Sequence, residues 1–258
     1  MPVTRIDDLF DIQSLQAVEI RRVFLSRSLF DVCSGIVRYG PLKGYVLDKD
    51  TMWGQGDLAA KLLGSYEKEV LQALVQKQPQ YSTLLNLGAA DGYYGVGAVK
   101  AGIFQKSICY EASEKGRSKI ATAAKTNGVS DKVVVTGITN ANFASDLSAL
   151  GVDLKHCAVL CDIEGAEFEV LTSSSIEQLQ HSFLLIELHD FMVENGEKKK
   201  QTLIDTLSAY FSVSSLTTQS RDLSPFPELD HFTDNDRWLM CSEGRPRRMS
   251  WLRCVPLA

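Results

Sequence analysis

One stretch of the sequence, residues 81–95, constrains the fold more than any other. It contains three leucines between residues 84 and 87, in a run too short for a helix, which predicts a buried strand. The run ends at Gly88, and a second glycine, Gly92, precedes a helix-like segment of small residues. Glycines at such a turn let the backbone bend sharply and let a ligand approach without a Cβ in the way. The N–H groups at the start of the helix would then face that ligand.

A second predicted strand follows this turn and ends in an acid. Residues 107–111 form an apolar run that closes with Glu111, about twenty residues after the glycine turn. In nucleotide-binding α/β folds, an acid at this position binds the hydroxyl groups of a ribose. Glu111 could instead cap the helix that follows, so a structural role is also open. Together, the turn and the acid favour a nucleotide-like ligand at the ends of these strands.

Strands and helices alternate from residue 82 onward. The predicted strands are 82–88, 106–111, 131–137, 156–162 and 182–188, and the helices between them are 93–102, 114–126, 142–150 and 164–172. Such alternation is typical of a parallel sheet with right-handed crossovers and helices on both faces. A helix at 197–210 and two further strands, at 211–216 and 237–242, complete the pattern. These two strands have no helix between them and are therefore predicted to pair antiparallel.

The chain is predicted to comprise an N-terminal extension, residues 1–80, and a main domain, residues 81–258. The extension would cap the main domain with helices and a hairpin. Residues 36–47 resemble two short strands around a Gly-Pro turn, which predicts the hairpin. After Asp57, a fair N-cap, the apolar residues recur at the spacing of one strongly amphipathic helix.

Basic residues are expected on the outside of the protein. Residues 1–35 carry apolar positions at helical spacing, with Arg21 and Arg22 on the outer face. The only basic cluster lies at residues 243–253. It could steer an anionic substrate, but a solvated tail is the more common role, and we leave it outside the predicted site.

Composition excludes several classes of function. The net charge of −5 over 258 residues predicts no general attraction to nucleic acid or to an anionic membrane. No apolar run is long enough for a membrane span, and the N-terminus has no signal-peptide core. The six cysteines include no CxxC pair, which favours buried free thiols in a reducing compartment. We therefore expect a cytoplasmic protein, and a homo-oligomer is compatible with this composition.

Acidic groups recur where the predicted strands end. Asp162 follows the fourth strand, and Glu187, His189 and Asp190 end or follow the fifth. Ligands of such sheets bind at this edge, and a carboxylate is costly to bury there without a partner. These groups could form a general base or bind a divalent metal, and we assign no metal ligands from the sequence. A structural role for His189 is also open.

Two motifs in these regions resemble the FkbM-type methyltransferases, a class I family that uses S-adenosylmethionine. Asn86–Tyr94 resembles the family's Asp-Val-Gly-Ala-Asn-x-Gly-Tyr-Tyr, and Asp162–Glu167 matches its Asp-x-Glu-Gly-x-Glu. Upstream, Gly64–Glu67 is similar to the Gly-x-Tyr-Glu that precedes the domain. The resemblance covers about residues 53–190. It implies an α/β fold, a Rossmann-like three-layer sandwich whose seven-stranded sheet has the order 3-2-1-4-5-7-6 and an antiparallel last strand.

The resemblance also implies which residues contact the cofactor. They are Asn86, Gly88, Ala89, Asp91, Gly92, Glu111, Asp162 and Glu67. Two positions depart from the family pattern, since Asn86 replaces the usual acid and Ala90 replaces an asparagine. The first change reduces a carboxylate to an amide carbonyl, and the second removes one side-chain contact to the methionine half of the cofactor.

The implied reaction is methyl transfer to an oxygen of a small-molecule or carbohydrate acceptor. The cofactor is already activated, so the protein mainly supplies orientation and a base. The candidates for that base are His189 and, after it, Asp162. Two other classes of protein are alternatives to the methyltransferase hypothesis. A nicotinamide-dependent oxidoreductase would have a glycine where this turn has Ala90, and a non-catalytic module with the nucleotide fold is compatible with the departures at Asn86 and Ala90.

Overall fold

The computed structural model describes residues 8–52, 54–77, 80–245 and 247–257, and it contains one seven-stranded sheet. The strands are β1 (Thr83–Leu87), β2 (Lys106–Tyr110), β3 (Val133–Thr136), β4 (Cys157–Cys161), β5 (Phe183–Glu187), β6 (Phe211–Thr217) and β7 (Ser250–Pro256). The helices are α1 (Asp8–Cys33), α2 (Leu58–Leu62), α3 (Lys68–Lys77), α4 (Tyr93–Lys100), α5 (Glu114–Thr126), α6 (Phe143–Ala149), α7 (Glu167–Val170), α8 (Ser173–Gln178), α9 (Gly196–Ser208) and α10 (Asp234–Cys241).

The sheet has the order β3-β2-β1-β4-β5-β7-β6. Strands β1 to β5 run parallel, and β7 pairs antiparallel with both β5 and β6. Every residue of β1, β4 and β5 is buried, because helices cover both faces of a parallel sheet. The predicted fold class, strand order and antiparallel last strand are therefore confirmed.

The position predicted for the last strand was wrong. Residues 237–242 lie mostly in α10, and the strand is β7, which the sequence had placed in the solvated basic tail. Thr233 caps α10 by accepting a hydrogen bond from the backbone N–H of Asp236. A short apolar run does not distinguish a strand from a helix, and this cap with its acidic first turn was the missed helix signal.

The extension also differs from its prediction in α1. Arg22 points inward, is only 5% exposed, and forms an ion pair with Asp57 at 2.6 Å. By contrast, Leu15 and Ile20, which the helical pattern placed inside, are 71% and 70% exposed. Among residues 13–33, the first buried apolar side chain of α1 is Leu25, ten residues after Leu15 and nearly three helical turns further along.

The predicted single helix after Asp57 is broken into α2 and α3. Between them, φ is positive at Gly64 (+65°) and Glu67 (+42°), which a continuous right-handed helix does not allow. Asp57 makes no capping hydrogen bond, since Arg22 binds its carboxylate. The predicted hairpin is reduced to one antiparallel bridge between Ile36 and Val46.

The extension and the main domain share one hydrophobic core. Leu29 of α1, Leu62 of α2 and Leu71 of α3 belong to the same buried cluster as Leu84 of β1 and Val96 of α4. Burying these side chains on a common surface holds the extension against the face of the sheet that carries α4. The loops on either side of α2 are thereby placed at the carboxyl edge of the strands.

All six cysteines are buried free thiols. Within the described residues, none of the helices has the length and apolar character needed to cross a membrane.

Candidate active site

A cavity of about 510 Å³ lies at the carboxyl ends of β1, β2 and β4. Its walls include the loops that follow these strands and the loop after β3. The extension supplies a further wall through Gly54, Asp57, Lys61 and Tyr66. This is the edge at which open α/β sheets bind ligands.

The turn from β1 to α4 contains the two glycines that the sequence emphasises. Gly88 has a φ of +80° and lines the cavity, whereas Gly92 has a φ of +88° and starts α4 without lining it. A Cβ added at Gly88 would lie 1.7 Å from the carbonyl oxygen of Asp162. The close neighbour of Gly88 is therefore the backbone after β4, and packing between strands requires the glycine independently of any ligand.

Glu111 connects this turn to the end of β2 by hydrogen bonds. Its carboxylate accepts one hydrogen bond from the N–H of Ala90 and one from the N–H of Ser113, both at 2.8 Å. The side chain also lines the cavity. Because a carboxylate has about four lone-pair positions, these two bonds leave acceptor capacity for hydroxyl groups of a ligand.

The other predicted cofactor residues divide into two groups. Ala89, Asp91 and Asp162 line the cavity. Asn86 and Glu67 do not, although both are almost fully buried.

Asn86 and Glu67 face the packing around α4. The side-chain oxygen of Asn86 has no hydrogen-bond partner in the described part of the chain, and it lies 3.3 Å from where a Cβ of Gly95 would be. Glu67 accepts a hydrogen bond from the Tyr94 hydroxyl and forms an ion pair with Arg245. Because neither side chain lines the cavity, either residue can act on it only through the residues against which it packs.

Two of the candidate groups, those of Asp162 and His189, meet a third residue, Glu164, at the ends of β4 and β5. Nε2 of His189 lies 3.8 Å from Oδ1 of Asp162 and 3.4 Å from Oε2 of Glu164. Each of the three residues offers one atom that could bind a metal ion, and these three atoms lie within 4.8 Å of one another. An imidazole and two carboxylates can hold a divalent transition-metal ion, and the same arrangement can stabilise a protonated imidazole.

The sequence predicted that Glu187 and Asp190 would join Asp162 and His189 in one site, but both acids are paired with basic residues instead. Glu187 forms an ion pair with Arg245 at 2.8 Å, and Asp190 forms one with Lys200 at 3.0 Å. Glu164 takes the place expected for them. It has an unusual φ of +52°, and Gly165 next to it has a φ of +102°.

Glu167 holds the loop after β4 against the end of β5. Its side chain is fully buried, and its two oxygens accept hydrogen bonds from the backbone N–H groups of Gly165 and His189, both at 2.8 Å. It is the last acid of the Asp-x-Glu-Gly-x-Glu motif, and nothing in the sequence pattern indicated this role. These two bonds set the position of the backbone that carries His189.

The environment shifts the pKa values of Asp162 and His189 in this cluster and of the neighbouring Glu187. Burial and the neighbouring Asp162 raise the pKa of Glu187. Burial raises the pKa of Asp162, although His189 opposes the shift. Burial alone would lower the pKa of His189, but Glu167, Asp162 and Glu164 outweigh it, so the net shift is upward. Perturbed pKa values of this kind are common at functional sites.

Comparison with known proteins supports the fold. No family model matches the chain, and no curated protein matches it. Among solved structures, the O-methyltransferase TomG from Streptomyces achromogenes in complex with SAM aligns with a TM-score of 0.50 at 9% identity, over 71% of this chain and 78% of that chain. An O-methyltransferase from Bacillus cereus in complex with SAH aligns with a TM-score of 0.49 at 11% identity, over 71% and 79%. The chain has the class I methyltransferase fold.

Several residues at this site were missed by the sequence analysis. Lys61 and Tyr66 line the cavity from the extension. Arg245, assigned to the solvated tail, forms ion pairs with Glu67, Glu187 and Glu243. The upstream resemblance at residues 64–67 was the only sequence signal for the extension's part in the site. Nothing local to the tail indicated that its arginine is enclosed by acids.

Proposed function

We propose that this chain is an S-adenosylmethionine-dependent methyltransferase of the FkbM type that methylates a hydroxyl of a small molecule or sugar. The charge of the cavity carries the proposal. Five carboxylates line it, together with a single ammonium group, that of Lys61; the acids are Asp57, Asp91, Glu111, Asp162 and Glu164. The described lining contains no arginine.

This charge suits a cationic cofactor and disfavours a dinucleotide. S-adenosylmethionine carries a sulfonium cation, which the surplus of carboxylates would attract. The diphosphate of a nicotinamide cofactor would meet the same carboxylates. A pair of like charges about 4 Å apart costs about 4 kcal/mol at an effective dielectric constant near 20. A few such pairs would exceed the gain from the ribose contact at Glu111.

Residues that line the cavity and residues that lie beside it have complementary roles in this reaction. Glu111 binds the ribose hydroxyls, and the turn at Gly88 lies beside the cofactor. When bound, S-adenosylmethionine supplies an activated methyl group. His189 accepts the proton of the acceptor hydroxyl at Nε2, and the carboxylates of Asp162 and Glu164 stabilise the imidazolium that forms. Glu167 orients His189 by accepting a hydrogen bond from the backbone N–H of His189.

The first test is cofactor binding measured by calorimetry. We expect wild-type protein to bind S-adenosylhomocysteine, the demethylated product, and not NAD. Glu111→Ala should weaken this binding about 10- to 100-fold, since hydrogen bonds to a charged group contribute about 1.5–3 kcal/mol. Glu114→Ala, an exposed acid on the neighbouring helix, is the matched control and should bind as wild type does. Binding of NAD alone would contradict the proposal.

Turnover separates an enzyme from a binding module with the same fold. Methyl transfer to any hydroxyl acceptor in a panel of sugars and small aromatic alcohols is expected, whereas binding without turnover across the panel would support the module.

Metal dependence has its own expected result. Because we assign proton removal to His189 directly, a chelator such as EDTA should leave turnover unchanged. Loss of activity that returns on adding a divalent ion would instead assign Asp162, Glu164 and His189 to a metal site.

A further inference from the structure

Lys61 is a buried cation for which the described structure provides no hydrogen-bond acceptor. It lies in α2, its side chain is 8% exposed, and it lines the cavity. An ammonium group has three donors, yet none of them makes a hydrogen bond with the described residues. The nearest carboxylate oxygen in an ion pair, Oδ2 of Asp91, is 3.8 Å away, which is too long for a hydrogen bond.

Two aromatic rings partly stabilise this ammonium group. Nζ of Lys61 lies 5.2 Å from the ring centroids of both Tyr66 and Tyr93. Such cation–π contacts attract the charge, but they leave its N–H donors without acceptors. A buried charge is costly unless it is both paired and hydrogen-bonded. An anionic group in the cavity would supply the acceptors that the described residues do not.

Asp91 is the matching anion in the turn between β1 and α4. Its carboxylate lines the cavity and makes no hydrogen bond with the described residues. The other acid near Lys61 is not free in this way, because Arg22 binds the carboxylate of Asp57 at 2.6 Å. Lys61 and Asp91 thus present one cation and one anion side by side, both with unused hydrogen-bonding capacity.

This pair is complementary to a group that carries a carboxylate and an ammonium on one carbon atom. We propose that Lys61 and Asp91 together bind the zwitterionic amino-acid group of the cofactor. Lys61 donates to its carboxylate, and Asp91 accepts from its ammonium. The inference rests on the proposed function, which requires an adenosyl amino acid in this cavity. It makes the N-terminal extension part of the cofactor site rather than a cap alone.

The experiment compares two ligands that differ in that group. S-adenosylhomocysteine carries the amino-acid group, and 5′-methylthioadenosine shares its nucleoside and thioether but lacks the group. Wild-type protein should prefer the first. In Lys61→Met, which keeps the length of the side chain and removes its charge, affinity for S-adenosylhomocysteine should fall about 10- to 100-fold, as for a lost charge-assisted hydrogen bond. Affinity for 5′-methylthioadenosine should stay within about twofold.

Two further variants and one control complete the design. Lys61→Arg should retain most of the preference, and Asp91→Asn should lose part of it, again without effect on 5′-methylthioadenosine. Lys119→Met removes a lysine that pairs with Asp48 at 2.6 Å outside the cavity, and it should bind both ligands as wild type does. Thermal unfolding of each variant identifies any loss of structure.

The outcomes are distinguishable. Equal loss of both ligands in Lys61→Met and in Asp91→Asn, or no loss of either, would overturn the inference and leave the proposed function standing. Equal affinity of wild-type protein for the two ligands would also overturn the inference without affecting the proposed function. If wild-type protein binds neither ligand, the proposed function fails and this inference fails with it.

Discussion

His189→Ala is expected to lower turnover by about 10²- to 10⁴-fold, the range for loss of a positioned base. Affinity for S-adenosylhomocysteine should change little, because His189 faces Asp162 and Glu164 at the ends of β4 and β5 and is not among the residues lining the cavity. Single-turnover and steady-state rates on folded protein give the measurement. His156→Ala is the matched control, since His156 is exposed, lies outside the cavity and pairs only with Asp153 among the described residues.

The pH dependence provides a second readout for the same residue. A general base must be neutral to accept a proton, and the carboxylates around His189 raise its pKa in spite of its burial. Turnover in wild-type protein should therefore rise with pH through a pKa above that of an ordinary histidine. In His189→Ala this rise should disappear. A structural histidine would instead lower the melting temperature and leave the turnover of folded protein near wild type.

Full activity in both His189→Ala and Asp162→Asn would remove these residues from the mechanism. Asp162→Asn keeps the shape of the side chain and removes one of the charges that stabilise the imidazolium. We expect it to lower turnover and to bring the pKa of His189 down.

Gly88→Ala is expected to destabilise the fold by at least about 4 kcal/mol, a value that single substitutions seldom reach. The new Cβ would lie 1.7 Å from the carbonyl oxygen of Asp162, and the backbone directly after the buried strand β4 cannot move aside cheaply. The alanine would also hold a φ of +80°, a conformation that L-amino acids adopt only at a cost in free energy. Urea unfolding measures the free-energy difference.

Gly102→Ala isolates the cause of this loss. Gly102 has a similar φ of +73°, but no atom lies within 4 Å of the Cβ position. It should therefore show only the conformational cost, about 1–2 kcal/mol. If the two variants lose equal stability, contact with the Asp162 backbone is not the reason for glycine at position 88.

The glycine turn shows how a correct sequence prediction can rest on an incomplete reason. The pattern from residue 84 to Gly92 predicted strand, turn and helix, and the structure contains β1, the turn and α4 there. From the sequence, the glycine at position 88 was explained by the approach of a ligand. The structure shows that the backbone after β4, more than seventy residues later in the chain, already excludes a side chain. Spacing within one segment cannot report which distant segment will pack against it.

The final strand shows the limit of short apolar patterns. Both α10 and β7 contain a brief run of apolar residues, and periodicity alone does not separate the two. The cap at Thr233 favours a helix at the first position. Pairing with β5 and β6 stabilises a strand at the second, and that pairing exists only once the sheet has formed.

The order of the strands came only from the resemblance to a known family, but the sequence itself determined the alternation of strands and helices and the edge where Glu111, Asp162 and His189 lie. These follow from local periodicity and from the handedness of crossovers, which act on neighbouring segments. The tertiary structure alone decided which charges meet. Lys61 faces Asp91, and Arg245 is enclosed by acids from the extension and from β5, because packing of the hydrophobic core brings distant segments together. A buried charge requires a partner, but only the packed core determines which partner is within reach.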